Sequence, residues 1–213
     1  MFLDALAITI IIFFIGLSTG FLIEHFRTNS LIQNYNVYET DSLDIRLQNY
    51  YYQVMDKNSC NETIKQNFIF ADKIYNEGLK IQQYEEANQI TNDLLQQKKR
   101  YVLLDVELWL NSLVLKNKCN ATYDILVYIY SSNADTGKNA EQKVISNVLS
   151  SLKKERNNTV ILIPISGDLG LDSVELQERI HNVTSLPSLV INEKYVLTGY
   201  HSKQEIEKIL DQP

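Results

Sequence analysis

The chain has 213 residues, room for one or two domains, with 45% hydrophobic and 22% charged residues, ordinary proportions for a folded protein. Its net charge is -6, and the basic residues are scattered or in short clusters such as Lys98-Lys99-Arg100, which leaves no electrostatic footprint for nucleic acid. There is no HExxH, no P-loop, no nucleophile elbow and no metal-spaced cluster, so neither a metal nor a cofactor is expected.

The chain begins with an expected anchor, residues 1–27. Ala5 to Ile23 is an uncharged run of 19 residues, which at about 1.5 Å per residue matches the thickness of a bilayer core. The flank before it carries Asp4 and no Lys or Arg, and Glu24-His25-Phe26-Arg27 is a poor cleavage site, so the reading is a retained single-pass helix; a cleaved signal is the alternative. Gly16 and Gly20 form a GxxxG, a spacing that lets two membrane helices approach, which allows a weak homodimer. With Arg27 the nearest strong positive charge, the flanks barely bias orientation.

Residues 28–118 read as helical throughout. Ser30 to Lys57 is the more polar part, with Tyr35, Leu43, Leu47, Tyr50, Tyr51 and Val54 expected to make contacts. Ile64, Phe68, Ala71, Ile74, Tyr75 and Leu79 recur at three and four residues and predict a helix from about Glu62 to Ala87. Leu94, Tyr101, Leu104, Leu108 and Val114 predict another from about Thr91 to Lys116, whose middle is apolar on more than one side and so belongs inside a bundle. The tyrosines are expected to pack rather than to form a stacking platform. Cys60 and Cys119 fall at the start of the first of these helices and the end of the second, which an antiparallel pair brings together. They have no CxxC spacing, and a structural disulfide is expected. Sequons at Asn61, Asn120, Asn157 and Asn182, two of them beside the cysteines, place the bulk of the chain on an oxidising, extracytosolic face; reduced thiols in the cytosol are the alternative.

Residues 119–213 change texture. Tyr123 to Tyr130 is a β-branched and aromatic run, followed by a polar loop and a helix expected from about Asn139 to Arg156, with Val144, Val148, Leu149 and Leu152 inward. Asn158 to Ile165 is a second strand. Asp172 is the expected N-cap of a helix that ends near His181, with Glu175 three residues on. Ser188 to Ile191, a two-residue turn at Asn192-Glu193 and Lys194 to Gly199 predict an antiparallel hairpin, and Ser202 with Glu205 a capping box for a final helix. The order is β-α-β-α-β-β-α, and the helix between the first two strands makes them parallel. Asp124, Asp135 and Asp168 read as turn formers and caps.

That order, and the stretch Asn182 to Leu210 in particular, resembles the thioredoxin fold. The resemblance covers about Tyr123 to Leu210 and implies that Pro187 is a cis-proline opening a strand, that Gly199 is the glycine after the last strand, and that the strand holding Pro164 is an edge. The departure is chemical. Where the family carries CxxC this chain has no cysteine, and the counterpart positions are Thr136 and Asn139, which cannot form a mixed disulfide. The resemblance therefore implies a redox-inactive, α/β thioredoxin-like domain whose groove, formed by Asn133, Asp135, Thr136, Asn139, Leu186, Pro187 and Gly199, binds a protein or peptide as a chaperone-like or scaffold factor. Two alternatives stay open: a thiol-disulfide oxidoreductase cycling Cys60 and Cys119, and a structural subunit of an envelope complex.

Overall fold

The computed structural model describes residues 8–23, 43, 46, 47, 50, 59–86 and 92–212. The chain divides into two compact units, residues 1–37 and 38–213. In the first, helix α1 (8–23) runs through the uncharged stretch with every residue exposed, and Thr19 Oγ1 donates to the Ile15 carbonyl at 2.7 Å. Around Gly16 and Gly20 there is open space where a Cβ would stand. The rest of the expected anchor, with His25 and Arg27, lies outside the described residues. Among the described residues no helix is long and apolar enough to cross a membrane. The 16 residues of α1 cover about 24 Å, less than the roughly 30 Å of a hydrocarbon core.

In the second unit, helices α2 (Cys60–Glu86) and α3 (Asn92–Cys119) are joined by a disulfide between the first residue of one and the last of the other, with a Cα separation of 5.7 Å. The expected stripe of α2 is buried at Phe68, Ala71 and Ile74, joined by Phe70, Ile81 and the polar Asn67, whose amide donates to Ser112 Oγ at 2.8 Å. Leu79 is exposed instead, because the neighbouring Gly78 is the residue turned to α3: a Cβ there would stand 2.2 Å from the Tyr101 hydroxyl. That approach is a reason to keep a glycine in mid-helix, where it otherwise costs about 1 kcal/mol. Helix α3 is buried on several sides, from Tyr101 and Val102 through Trp109, as its doubly apolar middle predicts. Leu43, Leu47 and Tyr50 are exposed rather than packed, while Arg46 pairs with Glu107 of α3, so this stretch meets α3 through charge. Tyr35, Tyr51 and Val54 lie outside the described residues.

The remainder is a mixed four-stranded sheet in the order β2-β1-β3-β4, built from β1 (Asp124–Tyr130), β2 (Val160–Ser166), β3 (Ser188–Ile191) and β4 (Tyr195–Thr198). β1 pairs with β2 in parallel and with β3 antiparallel, and β3 pairs with β4 antiparallel. Five consecutive residues of β1 and all four of β3 are buried, as continuous apolar runs covered on both faces should be. Helix α4 (Thr136–Arg156) and helix α6 (Lys203–Leu210) cover one face through Ile145, Leu149, Leu152, Ile206 and Leu210. Helix α5 (Asp172–Ile180) connects β2 to β3. β2 is an edge, which lets Pro164 sit in it without losing a ladder bond, yet it is buried because α2 and α3 pack along it.

Several boundaries differ from expectation. Helix α4 starts at Thr136, three residues early, because Asp135 caps it by accepting from Lys138 N at 2.8 Å. Val144 is exposed, and Gln142 and Ile145 take the inward positions. In α5 the N-cap is Leu171, which has extended backbone and no side-chain cap; Asp172 is the first helical residue, where its charge favours the helix dipole. The hairpin ladder resumes at Tyr195, so three residues, not two, separate the strands; Asn192 and Glu193 both have positive φ and Lys194 N bonds the Ile191 carbonyl. The capping box of α6 forms between Ser202 and Glu205.

Candidate functional site

The topology gathers the sequence-predicted site residues at one end of the sheet. β1 ends at Tyr130 and β2 at Ser166, which are register partners; Ser188, where β3 begins, pairs with Ile129 and with Thr198, where β4 ends. The Leu186–Pro187 bond is cis, and Pro187 is buried directly before β3. Gly199, at φ +73°, donates its N–H to the Pro187 carbonyl at 2.9 Å. Glu141 of α4 accepts from Tyr200 N at 3.2 Å, tying this end of β4 to the start of α4. Leu186 lies against Gly167, where a Cβ would stand 2.8 Å from Leu186 Cδ1. Among the described residues no backbone hydrogen bond engages Leu186.

Four of the predicted residues belong to the approach to α4. Asn133, Asp135, Thr136 and Asn139 are all exposed. Asp135 is spent on the cap, and Asn139 Nδ2 donates to the Ala134 carbonyl at 3.0 Å, so both act locally; Thr136 is the first residue of α4.

Behind this end lies a polar network. Asp168 accepts from Ser131 Oγ at 2.7 Å, Ser132 N at 2.8 Å, Asn133 N at 2.9 Å and Ser166 Oγ at 3.1 Å. Burial pushes the Asp168 carboxyl up, but these donors outweigh it and hold it below the usual carboxylate range. Ser132 Oγ meets Ser166 Oγ at 2.5 Å and accepts from the buried Lys98 Nζ at 2.5 Å. Lys98 also pairs with Glu85 and stands 5.4 Å from the Tyr130 ring centre. A Ser–Lys pair acts as a nucleophile and base when the amine is free to take a proton; here the ammonium is committed to a carboxylate, and the network's work is to fix residues 131–133. Asp124 likewise accepts from Asn192 Nδ2 at 2.7 Å.

A second cluster was not legible in the sequence. Glu193 bridges Trp109 Nε1 and His181 Nε2, each at 2.5 Å, and the two rings are 5.0 Å apart, while His181 Nδ1 meets the Gln177 carbonyl at 2.8 Å. Glu193 holds φ +61°, a conformation costing about 1–2 kcal/mol for a residue with a Cβ, and its two bonds offset that. The cluster docks the hairpin turn onto α3 and the end of α5.

A cavity of about 530 Å³ opens between α2, α4 and the β2 edge, walled by Tyr75, Tyr101, Tyr128 and Tyr130, and Asn139 is the one predicted site residue on its rim. Among the described residues no group of His, Cys, Asp and Glu is placed to hold a metal ion. The asparagines of the four sequons are exposed. The sequence matches no family model and no curated protein.

Proposed function

We propose that this chain is a membrane-tethered, redox-inactive thioredoxin-like protein that holds an extended polypeptide on the extracytosolic face. The observation that carries the reading is the convergence, at one end of a β2-β1-β3-β4 sheet, of the α4 N-terminus, Leu186-Pro187 and Gly199, with a threonine and an asparagine where the resembling family carries thiols. The Pro187 carbonyl is taken by Gly199, so the backbone offered to a client is that of Leu186, at the same end of the sheet as the exposed Thr136 turn. An extended segment would add hydrogen bonds there and bury a side chain against Leu186. Tethering is supported by the uncharged run 5–23 and by the exposure of every residue of α1; the extracytosolic side is supported by the Cys60–Cys119 bridge and the exposed sequon asparagines.

The test is affinity capture of the full-length membrane protein, parent against Leu186→Asp and against a variant with residues 133–139 replaced. Loss of co-purifying polypeptides with unchanged melting supports the reading; an unchanged partner set contradicts it. A second reading, a structural subunit of an envelope complex, is favoured by Leu103 and Leu110, exposed two turns apart on α3. It predicts partner loss in Leu103→Glu with Leu110→Glu and none in Leu186→Asp.

A further inference from the structure

We infer that Asn120 and Asn182 are sites of N-linked glycosylation, acceptors for an oligosaccharide carried on a lipid diphosphate. The inference rests on the extracytosolic reading above, because sequons act as acceptors in chains that cross to that side.

The asparagines of all four sequons are exposed, so exposure does not tell them apart. What does is whether the fold accounts for their residues. Asn120, Asn157 and Asn182 have φ of 49°, 45° and 55°, and they stand at the C-terminal ends of α3, α4 and α5 in turn. Asparagine tolerates that left-handed conformation better than most residues with a Cβ, so backbone geometry alone explains its presence at these three positions. Geometry does not explain a threonine two residues further on, and that hydroxyl completes the sequon.

The threonines divide into two pairs. Thr63, of the Asn61 sequon, is buried in α2, and its hydroxyl donates to the Ser59 carbonyl at 3.4 Å. Thr159, of the Asn157 sequon, donates to the Arg156 carbonyl at 2.7 Å and closes the end of α4. Both have work in the fold. Thr122 and Thr184 are exposed, and among the described residues their hydroxyls make no hydrogen bond. The side-chain amides of Asn120 and Asn182 make none either, so the nucleophilic nitrogens are not held by the fold. Packing and capping thus leave these two sequons unexplained, and modification accounts for both residues of each.

In the transfer, Asn Nδ2 bonds to the anomeric carbon of the first sugar. The bond from that carbon to the phosphate oxygen breaks, the lipid diphosphate leaves, and the displaced amide proton passes to a base on the transferase. One glycan then stands next to the Cys60–Cys119 bridge, and the other on the segment that leads to Leu186.

The experiment expresses the full chain in eukaryotic cells. The membrane fraction is digested, in heavy-oxygen water, with an amidase that cleaves the sugar from the asparagine side chain, and each former glycan site becomes a labelled aspartate read by peptide mass spectrometry. The expected result is label at positions 120 and 182, with faster gel migration after digestion. Thr122→Ala should remove the first label and Thr184→Ala the second, while Thr122→Ser and Thr184→Ser keep them, all with unchanged melting. Asp135→Thr supplies a control, since it completes a sequon at the exposed Asn133 and threonine still caps α4. Label at Asn133 in that variant with none at positions 120 and 182 overturns the inference and leaves the extracytosolic reading standing. No label at any of the three overturns both. Label that persists at position 120 in Thr122→Ala, or at position 182 in Thr184→Ala, is spontaneous deamidation and overturns the inference as well.

Discussion

Replacing both Cys60 and Cys119 by serine separates a structural bridge from a redox-active pair. The bridge joins residues 59 apart and ties the start of α2 to the end of α3, so the segment it closes contains the whole helical hairpin. Loop-closure arithmetic for a segment of that length gives about 4 kcal/mol of stabilisation through the unfolded chain. The helices keep independent contacts, including Asn67 to Ser112 and the edge-on pair Phe68–Tyr123, with ring centres 5.3 Å apart. The double variant should therefore fold but unfold in urea with a stability lower by about 3–4 kcal/mol. The assay is equilibrium urea unfolding of full-length protein in detergent, followed by tryptophan emission, since Trp109 lies within the hairpin and is the chain's sole tryptophan. The parent should keep its bond in mild reductant. A loss below about 1 kcal/mol, or a parent bond that opens in mild reductant while the protein stays folded, refutes the structural assignment and restores the oxidoreductase alternative.

Two further outcomes concern buried acids. Burial pushes the Asp105 carboxyl well above its ordinary value, partly opposed by the nearby Tyr101, so the folded protein keeps a proton that the unfolded chain releases above about pH 3.9. Stability then falls with rising pH by up to about 1.4 kcal/mol per unit between the unfolded and folded pKa values. Asp105→Asn should therefore gain on the parent from pH 4 to pH 8 in urea unfolding, and a pH-independent difference refutes this. Asp168 behaves oppositely: its folded pKa is lowered, so its contribution is present above about pH 3.9 and lost as pH falls through the folded value. Asp168→Asn should be less stable than the parent at pH 7 and converge with it in acid; parallel pH curves count against the donor network.

The order of the second half was readable because each element carried its own period and punctuation. The apolar runs that became β1 (Asp124–Tyr130) and β2 (Val160–Ser166, starting two residues later than expected), one proline before Ser188 and the Ser202 box all act locally, and local signals survive into the fold. What was missed depends on contacts far apart in sequence. One miss was local: Asp135 reads as a turn former or cap, but the expected helix starts at Asn139, three residues past the Thr136 that Asp135 caps. Glu193 meets Trp109 across 84 positions, and nothing near either residue announces the pairing. Tyr101, Tyr123 and Tyr128 pack, as expected for amphipathic rings, whereas Tyr50, Tyr195 and Tyr200 are exposed; Tyr75, Tyr101, Tyr128 and Tyr130, from three elements, also wall a cavity, which no single helix pattern encodes. Leu43 and Leu47 carry helical spacing without burial, because the described contact of that stretch is the Arg46–Glu107 pair.

The most direct measurement is site-specific photo-crosslinking in cells expressing the chain, with benzoylphenylalanine at Thr136, at the same end of the sheet as Leu186-Pro187, and, as control, at the exposed Lys154 near the other end of α4. Polypeptide binding at the Leu186 end of the sheet predicts discrete protein adducts from position 136 that disappear in Leu186→Asp and are absent from position 154. Equal adducts from both positions, or none from position 136, would contradict it.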